Sequence, residues 1–142
     1  MPKYMLIWRT IDEDKQNAAM AEIPFEQMLE KMGQLNDELI KAGVVLAMEG
    51  LDPEEHTVVT YADAGEPPVV TDGPYGETKE LFGGFYLISV GSKEEAVEWA
   101  KRLSYFPGSA VEIRRVPTID EFPQDNPWIQ KELDWRTKTG QL

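Results

Sequence analysis

The sequence predicts a single domain of the mixed α+β class. Two amphipathic helical patterns alternate with several short apolar runs of strand length, which is the arrangement of a sheet covered by helices. The chain has 142 residues, the size of one ordinary domain, and 42% of them are hydrophobic. It can therefore bury a sizeable core.

The first strand is predicted at residues 3–9. Its apolar side chains alternate between two faces, with Tyr4, Leu6 and Trp8 on one and Met5 and Ile7 on the other. Apolar residues on both faces are typical of a central strand, or of one covered on both sides. The polar stretch 10–16 is interpreted as a loop or as the frayed start of a helix.

A strong helical pattern begins at Pro24. Apolar residues recur at spacings of three and four and form one stripe: Phe25, Met28, Leu29, Met32, Leu35, Leu39 and Ile40. Pro24 suits the first turn of a helix, where a missing N–H costs nothing. Gly43 suits the C-terminal stop, where the chain turns left-handed.

The middle of the chain is predicted to hold a buried strand at 44–48 and then a hairpin. Residues 57–61 are rich in β-branched side chains, which favour a strand. A turn-forming cluster occupies 63–68, and residues 69–71 would return as a short hairpin arm.

A further strand is predicted at 85–90, followed by a helix. Ser92 and Glu95 form a capping box, in which each side chain can accept a hydrogen bond from the other residue's N–H. The helix would turn Ala96, Val97, Ala100 and Leu103 inward, and a last strand would span 110–116. The resulting order, β-α-β-β-(short β)-β-α-β, is the ferredoxin-like split βαβ pattern with an extra hairpin. Right-handed crossovers would place both helices on one face of the sheet.

Residues 118–142 are predicted to extend a domain formed by residues 1–117. Asn126 can cap a short terminal helix with Pro127 at its first position. Its large apolar residues, costly if left in water, are Trp128, Ile129, Leu133 and Trp135. We expect this helix to pack on the sheet or on a partner subunit.

Composition excludes several kinds of function. The chain has no cysteine, so disulfides, thiolate nucleophiles and cysteine-based metal sites are excluded. Its formal net charge of −12 repels phosphate backbones and anionic lipids. No apolar run approaches a membrane span, and no signal peptide is apparent. We therefore expect a cytoplasmic protein that binds neither nucleic acid nor membranes.

One unusual run lies at residues 70–86. It reads VTDGPYGETKELFGGFY. This resembles the signature of the DGPF branch of the YCII-related family, with Tyr75 where that branch usually has Phe. Residues 3–7, 47–51 and 96–100 also resemble that family, so the resemblance covers roughly residues 3–116.

The resemblance implies a dimeric α+β barrel, in which two ferredoxin-like sheets face each other and leave a cleft in each protomer. Independent support comes from strands that are apolar on both faces, since helices on one face of a sheet leave the other face bare. Some family members carry a His–Asp pair near the first helix. The single histidine here, His56, lies before the third predicted strand, so a histidine mechanism is not carried over.

The candidate site is the loop around residues 72–80. Its polar and turn-forming residues are Asp72, Gly73, Pro74, Tyr75, Glu77, Lys79 and Glu80. In one interpretation they line a ligand site, with Asp72 and Glu77 as candidates for a general acid or base. In the other, Asp72 to Pro74 form a turn and the charged residues are a structural clasp.

Glu49 and Arg9 are predicted to contribute from strand ends. Glu49 either ends its strand in water or faces Asp72 or Arg9 across a cleft. Arg9 either binds an anionic ligand bidentately or pairs with a structural carboxylate. The acidic surroundings favour a neutral or cationic ligand over a phosphate-rich one.

Two functions remain open at this point. The first is a homodimer with a small-molecule cleft and modest acid–base chemistry. The second is a non-catalytic dimeric module for binding or regulation, in which the loop is structural. No cofactor and no metal site are predicted, because one histidine among scattered carboxylates is a weak metal signal.

Overall fold

Six strands form two antiparallel sheets in the computed structural model, which describes residues 1–72 and 81–142. The strands are β1 (Lys3–Thr10), β2 (Val45–Gly50), β3 (Thr57–Thr60), β4 (Val69–Asp72), β5 (Leu81–Ser89) and β6 (Ser109–Val116). The main sheet has the order β2-β5-β1-β6, and β3 pairs with β4 as a separate hairpin. The α+β class and the extra hairpin are confirmed, and the strand order agrees with the split βαβ pattern.

The helices of the described chain are α1 (Glu13–Ala21), α2 (Phe25–Lys41), α3 (Lys93–Leu103) and α4 (Pro127–Thr139), with a 3-10 turn at Ile119–Glu121. None of the helices within residues 1–72 and 81–142 combines the length and apolar composition needed to cross a bilayer.

The core lies between the main sheet and helices α2 and α3. Its most deeply buried side chains are Leu6, Leu39, Ile88 and Val90. The predicted stripe of α2 is only half covered: Leu35 and Leu39 are buried, whereas Phe25 remains 67% exposed. The N-terminal turns of α2 therefore contribute little to the core of one protomer.

The opposite face of the main sheet is also apolar at its centre. Met5 pairs with Leu87, and Ile7 pairs with Phe85. Directly paired residues share a face, and their neighbours Tyr4 and Leu6 belong to the core cluster. Met5, Ile7, Phe85 and Leu87 therefore lie on the face turned away from α2 and α3, which we call the open face. The prediction that β1 is apolar on both faces is confirmed.

Helix α1 supports the helix-start alternative for residues 10–16. Asp12 caps it, because its side chain accepts a hydrogen bond from the Lys15 N–H at 3.0 Å. The Gly108 carbonyl accepts the Ile11 and Asp12 N–H groups at 2.8 and 3.0 Å. No residue of α1 is buried, so it has no apolar stripe that sequence analysis could detect.

The start of α3 differs in detail from the predicted capping box. The Ser92 hydroxyl accepts the Glu95 N–H at 3.2 Å, as predicted. The Glu95 carboxylate accepts the Gly91 N–H at 3.0 Å, where the prediction named the Ser92 N–H. The Glu95 carboxylate therefore reaches one residue further towards the N-terminus than predicted, and the N–H groups of Gly91 and Glu95 both have an acceptor.

The C-terminal segment is tied to the sheet by an ion pair. Arg115 on β6 donates two hydrogen bonds of 2.8 Å to the Glu121 carboxylate. The predicted cap of α4 is present, with Asn126 accepting the Trp128 N–H at 2.9 Å. Within one protomer, however, Trp128 and Trp135 stay 72% and 52% exposed. Cover for these side chains by a partner subunit remains a prediction.

Gly108→Ala should lower the free energy of unfolding by roughly 2–3 kcal/mol, because residue 108 would be strained and its new Cβ would meet α1. Gly108 has φ +84°, and a Cβ there would lie 2.5 Å from the Asp12 carbonyl oxygen. Gly140→Ala is the control, since its φ of +70° faces open space, and it should cost only about 1 kcal/mol. Urea denaturation measures both, and equal losses would contradict a tight contact with α1.

The hydrogen bonds from Arg115, reinforced by the Thr118 N–H, lower the pKa of Glu121 from 4.5 to about 2. The folded pKa lies below the unfolded value, so this pair stabilises the fold above pH 4.5 and stops doing so as the pH falls through about 2. A carboxyl-detected NMR titration should find a midpoint near 2 for Glu121 in the wild type. Arg115→Gln should move the midpoint back towards 4.5; a wild-type midpoint already there would refute the assignment.

Candidate functional site

The described residues of the predicted site lie on two different sheets. Arg9 and Glu49 belong to the main sheet, on β1 and β2, whereas Asp72 ends β4 of the hairpin. The remaining candidates, Gly73, Pro74, Tyr75, Glu77, Lys79 and Glu80, lie outside the described residues. Their part in a site therefore stays a prediction.

Arg9 forms an ion pair across the main sheet. Its Nη1 lies 2.8 Å from Oε2 of Glu112 on β6, and the two side chains are 24% and 39% exposed. This contact matches the alternative in which Arg9 pairs with a carboxylate. The partly buried pair also places opposite charges at the margin of the open face.

Asp72 is held by its hairpin partner. The Thr57 hydroxyl donates a hydrogen bond of 2.6 Å to the Asp72 carboxylate, and the two residues face each other across β3 and β4. The contact holds Asp72 within the hairpin, while Gly73 and Pro74, the rest of the predicted turn, lie outside the described residues.

Two cavities meet where β1 and β2 end and β5 begins. The α2 cavity, of about 360 Å³, is lined by Trp8, Met32, Asn36, Met48, Glu49, Gly50, Gly83, Gly84, Phe85 and Tyr86. The α1 cavity, of about 330 Å³, is lined by Trp8, Thr10, Glu13, Gln16, Asn17, Met20, Leu51, Pro53, Phe82 and Gly83. Trp8 and Gly83 belong to both linings, and we call the two cavities together the Trp8 cleft.

The floor of the cleft is shaped by glycine. A Cβ on Gly84 would lie 2.8 Å from the Glu49 carbonyl oxygen, so β2 and β5 approach closely there only because that atom is absent. The Leu51 N–H donates to the Gly83 carbonyl at 3.1 Å and fixes Leu51 beside the α1 cavity. Backbone contacts therefore hold the cleft open.

The α1 cavity has one polar wall and one apolar wall. Helix α1 supplies Glu13, Gln16 and Asn17, while Leu51, Pro53 and Phe82 line the cavity from the sheet side. Since α1 buries no residue of its own, these polar side chains are not needed for the core. Such an arrangement can hold an amphipathic small molecule.

The phenol nearest the cleft is a hydrogen-bond donor at neutral pH. Tyr86 donates to Asn36 at 2.7 Å, and burial raises the pKa of its hydroxyl although this bond opposes the shift. Burial, and then the proximity of Tyr86, raise the pKa of Tyr105 to about 12. Neither phenol is a base near pH 7.

Sequence analysis placed Trp8 on the face of the first strand shared by Tyr4 and Leu6, and did not single out Gln16, Asn17 or Asn36. No motif marks these residues, and α1 itself has no apolar periodicity. The one available signal was Gly83-Gly84 before a strand, which indicates a close backbone approach. In the described part of the chain, no three His, Asp or Glu side chains come together as a metal site would require.

Comparisons with known proteins place this geometry in context. The model of the YCII-related domain family matches residues 4–120. The chain is also similar to an uncharacterised protein of Rhizobium meliloti (strain 1021), with 34% identity over 79 residues. That alignment covers 56% of this chain and 63% of the relative, so it spans less than two thirds of the relative's length.

Proposed function

This chain belongs to the YCII-related domain family, and from that premise we propose that it is a cytoplasmic, homodimeric small-molecule-binding protein of the family's DGPF branch. The assignment to that branch is supported by the run at residues 70–86. The ligand would occupy the Trp8 cleft.

The observation that carries the proposal is the Trp8 cleft itself. Its two cavities, of about 330 and 360 Å³, are each within the size range of small-ligand sites. Phe82 and Gly83, which line it, come two and three residues after the end of the segment 73–80 in the chain. Asp72, Tyr75, Glu77 and Lys79 are therefore candidates for the outer wall of the same site.

The charge near the cleft argues for a neutral or cationic ligand. Glu13 lines one cavity and Glu49 the other, and the whole chain carries a formal net charge of −12. An anionic ligand would meet repulsion from both carboxylates. If the protein is an enzyme, the carboxylates around the cleft are the groups available for modest acid–base chemistry.

A second candidate function is a non-catalytic binding or regulatory module. It is favoured by the hydrogen bond from Thr57 to Asp72, because this contact between paired strands engages the carboxylate of one of the two catalytic candidates. In this alternative the loop around residues 72–80 is a structural clasp, and the cleft binds its ligand without transforming it.

The homodimer is supported by the open face. Four large apolar side chains, Met5, Ile7, Phe85 and Leu87, lie together there on the two central strands. Ile7 is already buried within the protomer, whereas Met5, Phe85 and Leu87 are partly exposed. A second copy of the sheet would remove these three from water and would also bury the Arg9–Glu112 pair at their margin.

Gly83→Leu should abolish small-molecule binding with little loss of stability, because the larger side chain fills the cleft. A Cβ at Gly83 has only the Trp8 carbonyl oxygen nearby, at an unstrained 3.7 Å. Ligand-observed NMR with a library of neutral and cationic fragments should find binders of the wild type that Gly83→Leu weakens at least about tenfold. Gly33→Leu, in an open position on α2, is the control and should bind like the wild type. Binders that tolerate Gly83→Leu would place the site elsewhere.

Leu87→Asp should convert the dimer to a monomer, because it places a charge at the centre of an apolar interface. Light scattering after size exclusion at micromolar concentration should give twice the 16.1 kDa chain mass for the wild type and a single chain for Leu87→Asp. Ile40→Asp is the control, since Ile40 is 56% exposed on α2, over the other face of the sheet. A monomeric wild type would refute the dimer.

A further inference from the structure

Two buried polar atoms without a hydrogen-bond partner belong to residues that line the α1 cavity. Among residues 1–72 and 81–142, Trp8 Nε1 and Gln16 Oε1 are the buried side-chain nitrogen and oxygen atoms that have none. Both residues line the same cavity. Buried polar groups are usually satisfied, so two such atoms at one cavity indicate a missing partner.

We propose that the α1 cavity recognises neutral molecules with a carboxamide or lactam edge, an inference that rests on the proposed binding function and specifies its ligand. The indole N–H of Trp8 is a donor only, and the amide oxygen of Gln16 is an acceptor. A cis-oriented amide offers the complement of both, with its carbonyl oxygen towards Trp8 and its N–H towards Gln16.

Charged groups match this pair less well. A carboxylate would accept from Trp8 but would set its oxygen atoms against Gln16 Oε1 and the nearby Glu13. An ammonium group would donate to Gln16 but would leave the Trp8 N–H without an acceptor. The donor–acceptor pair therefore selects a neutral polar edge, a narrower class than the overall charge of the cleft alone would select.

The Gln16 amide is held in a way that leaves its oxygen available. Its Nε2 contacts the Met20 sulfur at 3.7 Å, and its backbone N–H donates to the Asp12 carbonyl at 3.0 Å within α1. Solvent does not reach either orphan atom. The Met20 thioether that holds Nε2 is a weak acceptor on a flexible side chain, so a ligand can displace this contact.

The remaining walls specify the rest of the molecule. Met20, Leu51, Pro53 and Phe82 form an apolar surround, which suits a flat hydrocarbon or aromatic body attached to the amide. One bridging water, at roughly 30 Å³, would fill only a small part of the cavity of about 330 Å³.

The test uses four probes of similar size: benzamide, benzoate, benzylamine and fluorobenzene. Wild-type protein should bind benzamide at least about tenfold more tightly than benzoate or benzylamine, by ligand-observed NMR titration. Gln16→Met should weaken benzamide about five- to tenfold and leave fluorobenzene unchanged. Gln27→Met, the same exchange at an exposed position of α2, should change neither.

The Trp8 indole supplies a second, direct measurement. In a ¹⁵N spectrum of the tryptophan side chains, assigned by the signal missing from Trp8→Phe, the Trp8 N–H resonance should move downfield when benzamide is added. The shift itself is measured on the wild type, so its interpretation does not require a variant to be as stable as the wild type.

Three results would overturn the inference. The first is equal binding of benzoate or benzylamine together with an unaffected Gln16→Met. The second is benzamide binding that leaves the Trp8 resonance in place, which would assign the orphan atoms to water. In both, loss of binding in Gly83→Leu would still support the cleft. The third is a failure of all four probes to bind. Binding of compounds from the wider fragment library would then decide whether the cleft is a ligand site.

Discussion

The two-residue alternation of β1 is the constraint on which the other parts of the molecule depend. One face of this central strand carries Tyr4 and Leu6 into the core beneath α2 and α3, and the other carries Met5 and Ile7 onto the open face. Because successive side chains of a strand point to opposite faces, a layer that buries one set leaves the other set uncovered. The helices cover one face, and only a further layer can cover the second.

The same strand also connects the core to the cleft. Trp8 follows Leu6 on the helix side and stacks against Phe106 at a centroid distance of 6.0 Å, so its ring is anchored in the aromatic cluster of Tyr105 and Phe106. Its indole nitrogen is buried and has no hydrogen-bond partner among the described residues. A residue so well packed on one side and unsatisfied on the other is suited to hold a ligand rigidly.

Helix α1 shows how a wall can be placed without a hydrophobic core of its own. Its N-terminal end is fixed by the Gly108 carbonyl and by the Asp12 cap, and the absence of a Cβ at Gly108 lets the two backbones approach. Since backbone contacts hold the helix, its polar side chains are free to line the α1 cavity. The proposed function and the proposed ligand class both depend on this arrangement, in which backbone contacts hold the helix and its polar side chains line the cavity.

Local patterns were enough to predict the order of the strands and of the longer helices, the hairpin, three of the four inward residues of α3 and the family, because each depends on local periodicity, capping or a long unbroken motif. Val97, the fourth residue of α3, is only partly buried and does not belong to the core cluster. Even there, α1 was only half anticipated, since a helix with no apolar stripe leaves no periodic signal. The tertiary structure alone decided which polar residues meet. It paired Arg9 with Glu112 over 103 positions of sequence separation, joined Asp72 to Thr57, and placed Trp8 and Gln16 in the lining of one cavity. Such meetings follow from strand order and register, which place side chains from distant segments together and which no local pattern encodes.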